Sequence, residues 1–381
     1  MSKASIYLDH AAATPLDKRV LSAMLPYFSD MFYNPSASYL PARDVSKDLE
    51  AARADIAHRV GARPAEIIFT AGGTEANNIA IHGIMRAFPN ANVVVSAIEH
   101  ESVLAPAHEY PCREAAVQKD GLVDRATLKA TIDNQTMLVS IMYANNEIGT
   151  IEPIREIAQL LSEVRKERQQ TGNKLPLYFH TDAAQAANYL DLHAARLGVD
   201  LMTLNGGKIY GPKQSGVLYV RAGVYLQPLI QGGGQESNLR SGTENVAQSI
   251  GFAKALSLAQ DMRSEETHRL QALQQHFYEL LGKQIPSVVI NGLRKKRLPN
   301  NVHVTIPDYD NERLLIQLDE FGILAAAGSA CNASSEEPSH VLSAIGLSDA
   351  DAQSSLRFTM GRTTTKEQIE QTVATLAKLL T

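Results

Sequence analysis

The sequence predicts an α/β fold in which helices cover a mostly parallel sheet, with a smaller α+β domain after it. Short β-branched runs alternate with longer amphipathic segments, and the runs lack the strict polar alternation of half-exposed strands. This alternation of strand and helix favours a parallel sheet that is covered on both faces. The 381 residues, 44 % of them hydrophobic, suffice for two or three domains with buried cores.

The predicted strands of the main sheet come before the segments where chemistry is expected. Apolar residues three or four positions apart from Val45 to Val60 predict the first long helix, with Gly61 as its C-cap. Ligands of such sheets bind at the carboxyl ends of the strands, so the residues after each strand are candidates for a site. The predicted strands are Glu66–Thr70, Val93–Val95, Met137–Met142, Leu177–His180, Val199–Leu204 and Gly216–Val220.

A second, smaller domain is predicted in the last third of the chain. A long helix from about Asn245 to Leu281 leads out of the first domain, and a final helix begins at Thr365 with a capping box. Between these helices, the pattern predicts strands at Val288–Ile290, Asn301–Ile306 and Ile323–Leu324 and a helix near Glu312–Glu320. We predict a large domain over residues 16–262 and a small domain formed by residues 1–15 and 263–381.

Composition and charge exclude several classes of protein. Lys and Arg total 36 against 41 Asp and Glu, so the formal net charge of -5 provides no basic field for nucleic acid. No apolar run reaches the roughly 18 residues of a membrane helix, and Asp9 and His10 interrupt any signal-peptide core. Cys112 and Cys331 lie too far apart for a CxxC zinc site, so we expect a cytoplasmic protein without a metal centre. The basic run 294–297 is predicted to be a solvated loop.

The segment Thr70–Asn78 follows a predicted strand and opens a predicted helix. Its small residues, among them Gly73, let the backbone approach a ligand, and amides at a helix N-terminus favour an anion. Thr74 is a candidate both for the N-cap and for a phosphate ligand. The segment matches neither GxGxxG nor GxxxxGK[ST], so neither a dinucleotide nor a nucleoside triphosphate is indicated. A plain glycine turn is an equal alternative.

Two further candidates follow predicted strands directly. Asp182 ends a buried strand, where a carboxylate needs a partner; the cationic ring nitrogen of a cofactor and a helix N-cap are equal alternatives. Lys208 lies between glycines just after the next strand, where partial desolvation activates an amine for Schiff-base chemistry. Lys213, a little further on, is predicted to be a surface lysine.

The region near the C-terminus holds two more candidates. Cys331 lies in Gly328–Pro338, a run of small polar residues with too little apolar surface to pack tightly. A free cysteine is usually a buried small hydrophobe, but one on an exposed loop suits use as a thiolate. Arg357 lies between apolar neighbours in a strand-like run, where its planar fork suits a substrate carboxylate or an internal salt bridge.

In combination and in this order, these residues resemble the cysteine desulfurases, pyridoxal-phosphate (PLP) enzymes of the class V aminotransferase group. The resemblance runs from Tyr7–Ala12 to Gly361–Thr364 and implies the PLP-dependent transferase type I fold. The loop after Cys331 has the longer form that resembles the iron–sulfur-cluster housekeeping branch. The motifs that carry the resemblance are Asn34–Ser36, Gly73–Glu75, Glu99–His100, Asn145–Gly149, Lys208–Lys213, Arg240–Thr243, Gly328–Cys331 and Glu337–Ser339.

The resemblance implies a role for each residue of a cofactor site. Lys208 would bind PLP covalently and later transfer protons, Asp182 would pair with the ring nitrogen, and Gln185 would hydrogen-bond the phenolic oxygen. His100 would stack on the ring and assist proton transfer. The residues implied at the phosphate are Gly73, Thr74, Asn205 and, from the other subunit of a homodimer, Thr243.

The same resemblance implies the substrate and the reaction. L-cysteine would bind through Asn34, Asn146 and Arg357, the last two holding its carboxylate, and Asn146 would also contact the cofactor. Cys331 would attack the sulfur, become a persulfide and leave L-alanine. The implied sulfur acceptors are an iron–sulfur scaffold, a tRNA-thiolation enzyme or a thiamine-pathway carrier.

The sequence departs from the family pattern around the phosphate. Gly207 and Asn205 stand where the family usually has His and Ser, which predicts weaker cofactor binding. Tyr39 stands where a His is usual, and Ala326 and Ala327 stand where two Ser are usual. Two alternatives stay open: a weakly active relative that acts as a partner in a sulfur-transfer assembly, and a selenocysteine lyase that does not use the thiol.

Overall fold

The computed structural model describes residues 5–328 and 338–380. The strands are β1 (Ile6–Tyr7), β2 (Ile67–Thr70), β3 (Asn92–Ser96), β4 (Cys112–Ala115), β5 (Thr136–Ser140), β6 (Tyr178–Asp182), β7 (Leu201–Asn205), β8 (Gly216–Val220), β9 (Val289–Ile290), β10 (Asn301–Thr305), β11 (Ile323–Leu324) and β12 (Ser355–Thr359). The α-helices are α1 (Lys18–Met24), α2 (Pro26–Ser29), α3 (Leu40–Val60), α4 (Gly73–Ala87), α5 (Glu101–His108), α6 (Arg125–Thr131), α7 (Ile154–Gln170), α8 (Ala194–Leu197), α9 (Val246–Gln284), α10 (Asn311–Glu320), α11 (His340–Ala344), α12 (Asp349–Gln353) and α13 (Lys366–Leu379). Short 3₁₀ helices cover Pro64–Glu66, Gly206–Lys208 and Glu236–Asn238. Within the part of the chain described, no helix combines the length and the hydropathy that a bilayer crossing requires.

Within the described residues, the largest sheet has seven strands in the order β2-β8-β7-β6-β5-β3-β4. Its neighbouring strands are parallel except at β8, which runs antiparallel to both β7 and β2. This confirms the mostly parallel sheet that the alternation of strand and helix predicts. The six predicted strands are all present, and their ends differ from the prediction by at most two residues. The edge strand β4 is largely exposed, so it has no apolar run by which the sequence could predict it.

Helices cover the sheet on both faces, because successive side chains of a strand point to opposite sides. In β2, Ile67 and Phe69 belong to an apolar cluster with α3, α7 and the first half of α9, whereas Ile68 faces a cluster formed with α4 and α5. Val94 and Val93 of β3 divide in the same way. Burial on both faces explains why these strands are apolar without strict alternation.

Two long helices follow the predicted patterns. The apolar stripe of α3 is buried, and the helix ends at Gly61, which has a left-handed φ of 65°. A Cβ at Gly61 would collide with the ring of His193, so conformation and packing both require glycine there. Helix α9 has 39 residues and is therefore about 58 Å long. Phe252 in its first half joins the main-sheet cluster, and Phe277 in its second half joins a separate cluster.

The separate cluster surrounds a second sheet, which is antiparallel and has the order β12-β10-β9. The start of the chain joins this region, because β1 pairs in parallel with β11 and Asp9 forms a bridge with Thr359 of β12. Helices α10 and α13 also pack here, and the predicted capping box of α13 is present between Thr365 and Gln368. The fold thereby brings together residues from the two ends of the chain.

The basic turn between β9 and β10 differs from its prediction. Arg297 is buried, and its guanidinium donates to the carbonyl of Leu293 at 2.7 Å and to Asn301 Oδ1 at 3.2 Å. Burial lowers the pKa of Arg297 below its ordinary value. The prediction of a solvated loop is therefore wrong for Arg297, which cross-links the turn from inside.

Candidate active site

A cavity opens where β6 and β7 end, at the edge of the main sheet where the sequence predicts a site. Most of its lining comes from the strand ends, the turns after them and the start of α4. We name this part the sheet wall; it consists of Gly73, Thr74, His100, Ser102, Met142, Ala144, Asn146, Asp182, Ala184, Gln185, Asn205 and Lys208. The rest of the lining, which we name the terminal wall, consists of Ala11, Ala12 and Arg357.

The cavity brings together most of the predicted site residues. Those that line it are Gly73, Thr74, His100, Asn146, Asp182, Gln185, Asn205, Lys208 and Arg357. Asn34 and Thr243 do not line it; both are exposed, and the side chain of Asn34 is used within its own turn. The loop of Thr243 is tied to the start of α4 by an ion pair of 2.8 Å between Arg240 and Glu75. Cys331 lies outside the described residues.

Asp182 is the last residue of β6 and is 6 % exposed. Asn77 Nδ2 donates to its Oδ2 at 2.7 Å, and the amide of Ala184 donates to its Oδ1 at 2.9 Å. The carboxylate therefore caps a turn and lines the cavity. The helix N-cap alternative is wrong, because the chain turns after β6 and the next α-helix begins only at Ala194, with His193 as its N-cap. A buried carboxylate held in this way suits a cationic ring nitrogen.

A hydrogen-bond network connects Asp182 to His100. Asn77 Nδ2 donates to Ser102 Oγ at 2.8 Å as well as to Asp182, and Ser102 Oγ lies 2.8 Å from His100 Nδ1. His100 is the N-cap of α5, and its Nδ1 accepts the backbone amide of Ser102 at 3.0 Å. Because Nδ1 is an acceptor, the neutral ring carries its proton on Nε2. The network thus sets both the orientation and the tautomer of His100.

The first turn of α4 offers free donors to an anion. The helix begins at Gly73 after Gly72, whose φ is 133°, and among the described residues no side chain caps its first amides. The prediction that Thr74 is the N-cap is wrong, because Thr74 lies inside the first turn; its use as a phosphate ligand stays a prediction. A Cβ at Gly73 would lie 3.3 Å from Cβ of Asn205, so glycine lets the Asn205 side chain approach this turn. Asn205 Oδ1 accepts the amide of Gly207 at 3.0 Å, and its Nδ2 group is the donor on that side chain.

Lys208 ends the 3₁₀ turn that follows β7 directly. A Cβ at Gly206 would collide with a neighbouring serine, so the tight turn that carries Lys208 to the cavity requires glycine. Lys208 Nζ donates to the carbonyl of Ala11 at 2.7 Å and to that of Ala12 at 2.6 Å. Gln185 Nε2 donates to the same Ala11 carbonyl at 3.0 Å. The amine of Lys208 therefore connects the sheet wall with the terminal wall.

Lys213 lies beside Gly207, outside this cavity. The side chain is exposed, as predicted, and its Nζ donates to the carbonyl of Thr14. A Cβ at Gly207 would lie 3.3 Å from Lys213 Cδ and 3.5 Å from Asn205 Oδ1. The Lys213 stem thus fills the space next to the position where the family pattern has a histidine.

Arg357, in β12, has a side chain that is only 2 % exposed. Its Nη2 lies 2.6 Å from Asp9 Oδ1, and its Nη1 donates to the carbonyl of Asn146 at 3.1 Å. Its Nε is buried without a hydrogen-bond partner in residues 5–328 and 338–380. Arg357 therefore forms the predicted internal salt bridge and also lines the cavity, whereas its binding of a substrate carboxylate stays a prediction.

Two buried carboxyl groups support the sheet wall. Glu99 accepts the amide of Met142 at 2.6 Å, and burial raises the pKa of Glu99 well above its ordinary value. Glu152 accepts the amide of Val123 at 2.9 Å, and burial raises the pKa of Glu152 to about 8. The amide of Glu152 also bonds to the carbonyl of Tyr143, which closes the loop before α7. With a pKa of about 8, Glu152 is mainly a neutral acid near neutral pH.

Several residues in the cavity or hydrogen-bonded to its lining have no role in the sequence reasoning. Asn77 and Ser102 link the aspartate and the histidine, and Ala11 contributes only a carbonyl. Asn77 lies one helical turn after Gly73, so its spacing on the helix could have identified it. No comparable signal exists for Asp9, since its partner lies in the last strand of the chain.

Known proteins resemble this chain over nearly its whole length. The aminotransferase class-V family matches residues 6–372. A cysteine desulfurase IscS from Dictyoglomus turgidum is 43 % identical, and the match covers 99 % of this chain and 95 % of the relative. A solved NifS-like protein from Rickettsia africae has a TM-score of 0.88 and 32 % identity, with 99 % of each chain covered. A solved complex of SspA with cysteine has a TM-score of 0.80 and 34 % identity, covering 93 % of this chain and 99 % of the other.

These matches include both ends of the chain, and so both walls of the cavity. The family match begins before Ala11 and ends after Arg357. The match to the relative is nearly complete on both sides, so it does not depend on one shared segment. The chain therefore belongs to the class V aminotransferase family, as one of its cysteine desulfurases.

Proposed function

We propose that this chain is a PLP-dependent enzyme that converts L-cysteine to L-alanine and carries the sulfur as a persulfide on Cys331. The observation that supports this most directly is one cavity lined by the Lys208 amine, the buried Asp182 carboxylate and the buried Arg357 guanidinium. Cofactor attachment, pairing with a ring nitrogen and binding of a carboxylate need these three groups. The assignment of Cys331 rests on the family resemblance.

The residues of the cavity fit PLP. The uncapped first turn of α4, with Thr74 and Asn205 beside it, offers donors to a phosphate group. Asp182 can accept a hydrogen bond from the ring nitrogen, Gln185 can donate to the phenolic oxygen, and Lys208 supplies the amine for attachment. When bound, PLP withdraws electrons from the α-carbon of the substrate.

The protein then positions the substrate and its protons. Arg357 and Asn146 hold the carboxylate of L-cysteine, since both line the cavity and the planar fork of Arg357 matches a carboxylate. Lys208 and His100 carry protons to and from the substrate. The network that ends on Nδ1 of His100 directs its Nε2 proton to this task.

The proposed sulfur transfer balances with one enzyme thiol. The Cys331 thiolate attacks the sulfur of the substrate, an S–S bond forms and the C–S bond breaks. The electron pair of the C–S bond stays on carbon, which takes up a proton to give L-alanine. No outside oxidant is needed, because the substrate carbon is reduced as the sulfur is oxidised. The persulfide then passes to an acceptor, proposed to be an iron–sulfur scaffold or a tRNA-thiolation enzyme.

The proposal extends to assembly, domains and location. A homodimer is supported by Thr243, which is exposed and lies outside the cavity of its own chain. Sedimentation should give twice the mass of one chain, and a fully active monomer would contradict the dimer. Domains over residues 16–262, and over 1–15 with 263–381, are supported by the separate apolar clusters along α9. A cytoplasmic location is supported by two cysteines far apart in sequence.

Cys331→Ser tests the central proposal. The variant should still bind PLP and L-cysteine, but it should release no L-alanine and carry no persulfide, because a hydroxyl cannot take up the sulfur. Cys112→Ser is the matched control: burial raises the pKa of Cys112 to about 11, so its thiolate is scarce and its loss should be silent. Release of L-alanine by Cys331→Ser at the wild-type rate would contradict the persulfide route and favour the lyase alternative.

A further inference from the structure

An ion pair beside the cavity joins the two ends of the chain. Arg357 lies in the middle of β12, paired with His303 of β10 on one side and bridged to Ala326 on the other. Its side chain is 2 % exposed, so the surrounding strands leave the guanidinium little freedom. A guanidinium buried to this degree needs an anion close by, because an unpaired buried charge is strongly destabilising.

Asp9 supplies this anion from a well-anchored segment. It forms a β-bridge with Thr359, and its carbonyl accepts the Tyr7 hydroxyl at 2.9 Å and the amide of Ala12 at 3.0 Å. Its carboxylate oxygen lies 2.6 Å from Arg357 Nη2, the distance of a charge-assisted hydrogen bond. The backbone around Asp9 therefore fixes the place of the negative charge.

The contacts of Arg357 leave part of its fork for a ligand. Nη2 bonds to Asp9, Nη1 bonds to the Asn146 carbonyl, and the buried Nε has no hydrogen-bond partner in the residues that the structure describes. A buried donor without an acceptor is costly, so the bonds to Asp9 and Asn146 leave the guanidinium incompletely satisfied. The guanidinium is thus held at two nitrogens and unsatisfied at the third.

We propose that Asp9 is a positioning residue, which holds Arg357 in the orientation that binds the carboxylate of an α-amino acid. The inference rests on the proposed function, because it requires a substrate whose carboxylate meets Arg357. Without Asp9, Nη2 loses its charged partner and, among the described residues, the guanidinium is held only by the bond of Nη1 to the Asn146 carbonyl, so its orientation is less well fixed. Ligands with a carboxylate then bind more weakly, and amines without a carboxylate do not.

The test compares two ligands that differ by a carboxylate. The PLP-loaded enzyme is titrated with L-alanine and with ethylamine, and the change in cofactor absorption gives a dissociation constant for each. Asp9→Ala should weaken L-alanine binding about tenfold and leave ethylamine binding within about twofold. Asp9→Asn should weaken L-alanine binding about threefold, because its amide oxygen still accepts from Nη2 but carries no charge. Both variants should raise KM for L-cysteine more than they lower kcat.

Asp17→Ala is the matched control. It removes another carboxylate near the N-terminus that pairs with an arginine, Arg362 at 3.0 Å, and neither residue lines the cavity. Its ratio of the two dissociation constants should equal that of the wild type.

Two results would overturn the positioning role. These are an unchanged ratio in Asp9→Asn, or equal weakening of both ligands in Asp9→Ala. If Asp9→Ala does not fold, the ratio measured with Asp9→Asn decides alone. A wild type that releases no L-alanine from L-cysteine would contradict the proposed function itself, so the two failures are distinguishable.

Discussion

The two walls of the cavity are held in place by different forces. The sheet wall is supported by the buried acids Glu99 and Glu152, whose pKa values burial raises, and by the hydrogen-bond network that connects Asp182 to His100. The terminal wall depends on a charged pair, Asp9 with Arg357, whose members are 348 positions apart. The stability of the sheet wall should therefore depend on pH, whereas the terminal wall should be weakened by a substitution that removes one charge. The walls meet at the amine of Lys208.

The largest effect is expected at this meeting point. Lys208→Ala removes the amine that bonds to the terminal wall and that is proposed to attach the cofactor, so L-alanine production should fall below detection. Borohydride reduction and peptide mapping of the wild type should place the pyridoxyl group on Lys208. Lys213→Ala should leave the label in place, since Lys213 does not line the cavity. A label on Lys213 would contradict this prediction, because Lys208, the amine that joins the two walls, would then not be the one that attaches the cofactor.

Asp182→Asn tests whether the sheet wall acts through charge. The asparagine keeps an oxygen for the amide of Ala184 but removes the anion, so kcat for L-alanine release should fall about a hundredfold. KM should change less, because Arg357 still binds the carboxylate. Asp191→Asn, which alters a partly exposed carboxylate paired with Arg196, is the control and should match the wild type. A loss below threefold, roughly, would contradict a ring nitrogen at Asp182.

Glu152→Gln tests the pH response of the sheet wall. The pKa of Glu152 is about 8 in the folded protein, against an ordinary value of 4.5. The folded state keeps the Glu152 proton up to a higher pH than the unfolded state does. The stabilisation from this proton is therefore fully present below pH 4.5 and is lost as pH rises through about 8. The slope is at most on the order of 1 kcal/mol per pH unit. Glutamine does not titrate, so the variant should gain stability relative to the wild type as pH rises over this window.

Urea unfolding of the Glu152→Gln variant and the wild type, at the two ends of that window, measures the difference. Other titrating groups are common to both proteins and cancel in the comparison. A difference in the free energy of unfolding that does not change with pH would mean that Glu152 is charged in the folded protein.

The smallest effect is expected at the phosphate end of the sheet wall. A histidine at position 207 needs the space of Lys213, because a Cβ on Gly207 would lie 3.3 Å from Lys213 Cδ. Gly207→His alone should change PLP affinity little, whereas Gly207→His with Lys213→Ala should tighten it about tenfold. Titration of the apoenzyme with PLP measures both variants. No gain in the double variant would mean that Asn205 and the first turn of α4 already satisfy the phosphate.

Sequence reasoning worked where a side chain follows a strand. Asp182, Asn205 and Lys208 come directly at or after the ends of β6 and β7, so the apolar runs locate them. The sequence reasoning took Thr74 as the N-cap of α4 because threonine is a preferred N-cap residue. The N-cap is instead Gly72, which takes a conformation that only glycine adopts readily.

The terminal wall could not be predicted in this way. The contact of Asp9 with Arg357 follows from the pairing of β1 with β11, and no spacing around Asp9 encodes a partner so distant. Arg297 was missed for a related reason, since a basic run gives no sign that one of its members turns inward.

The position of β1 also determines when the cavity can be completed during protein synthesis. The 348 positions from Asp9 to Arg357 take roughly 17–70 s to translate at about 5–20 residues per second. Strands β2 to β8 can pair in this time, whereas β1 has no partner until β11 has left the ribosome. A nascent chain can therefore form the sheet wall of the cavity before the terminal wall is in place.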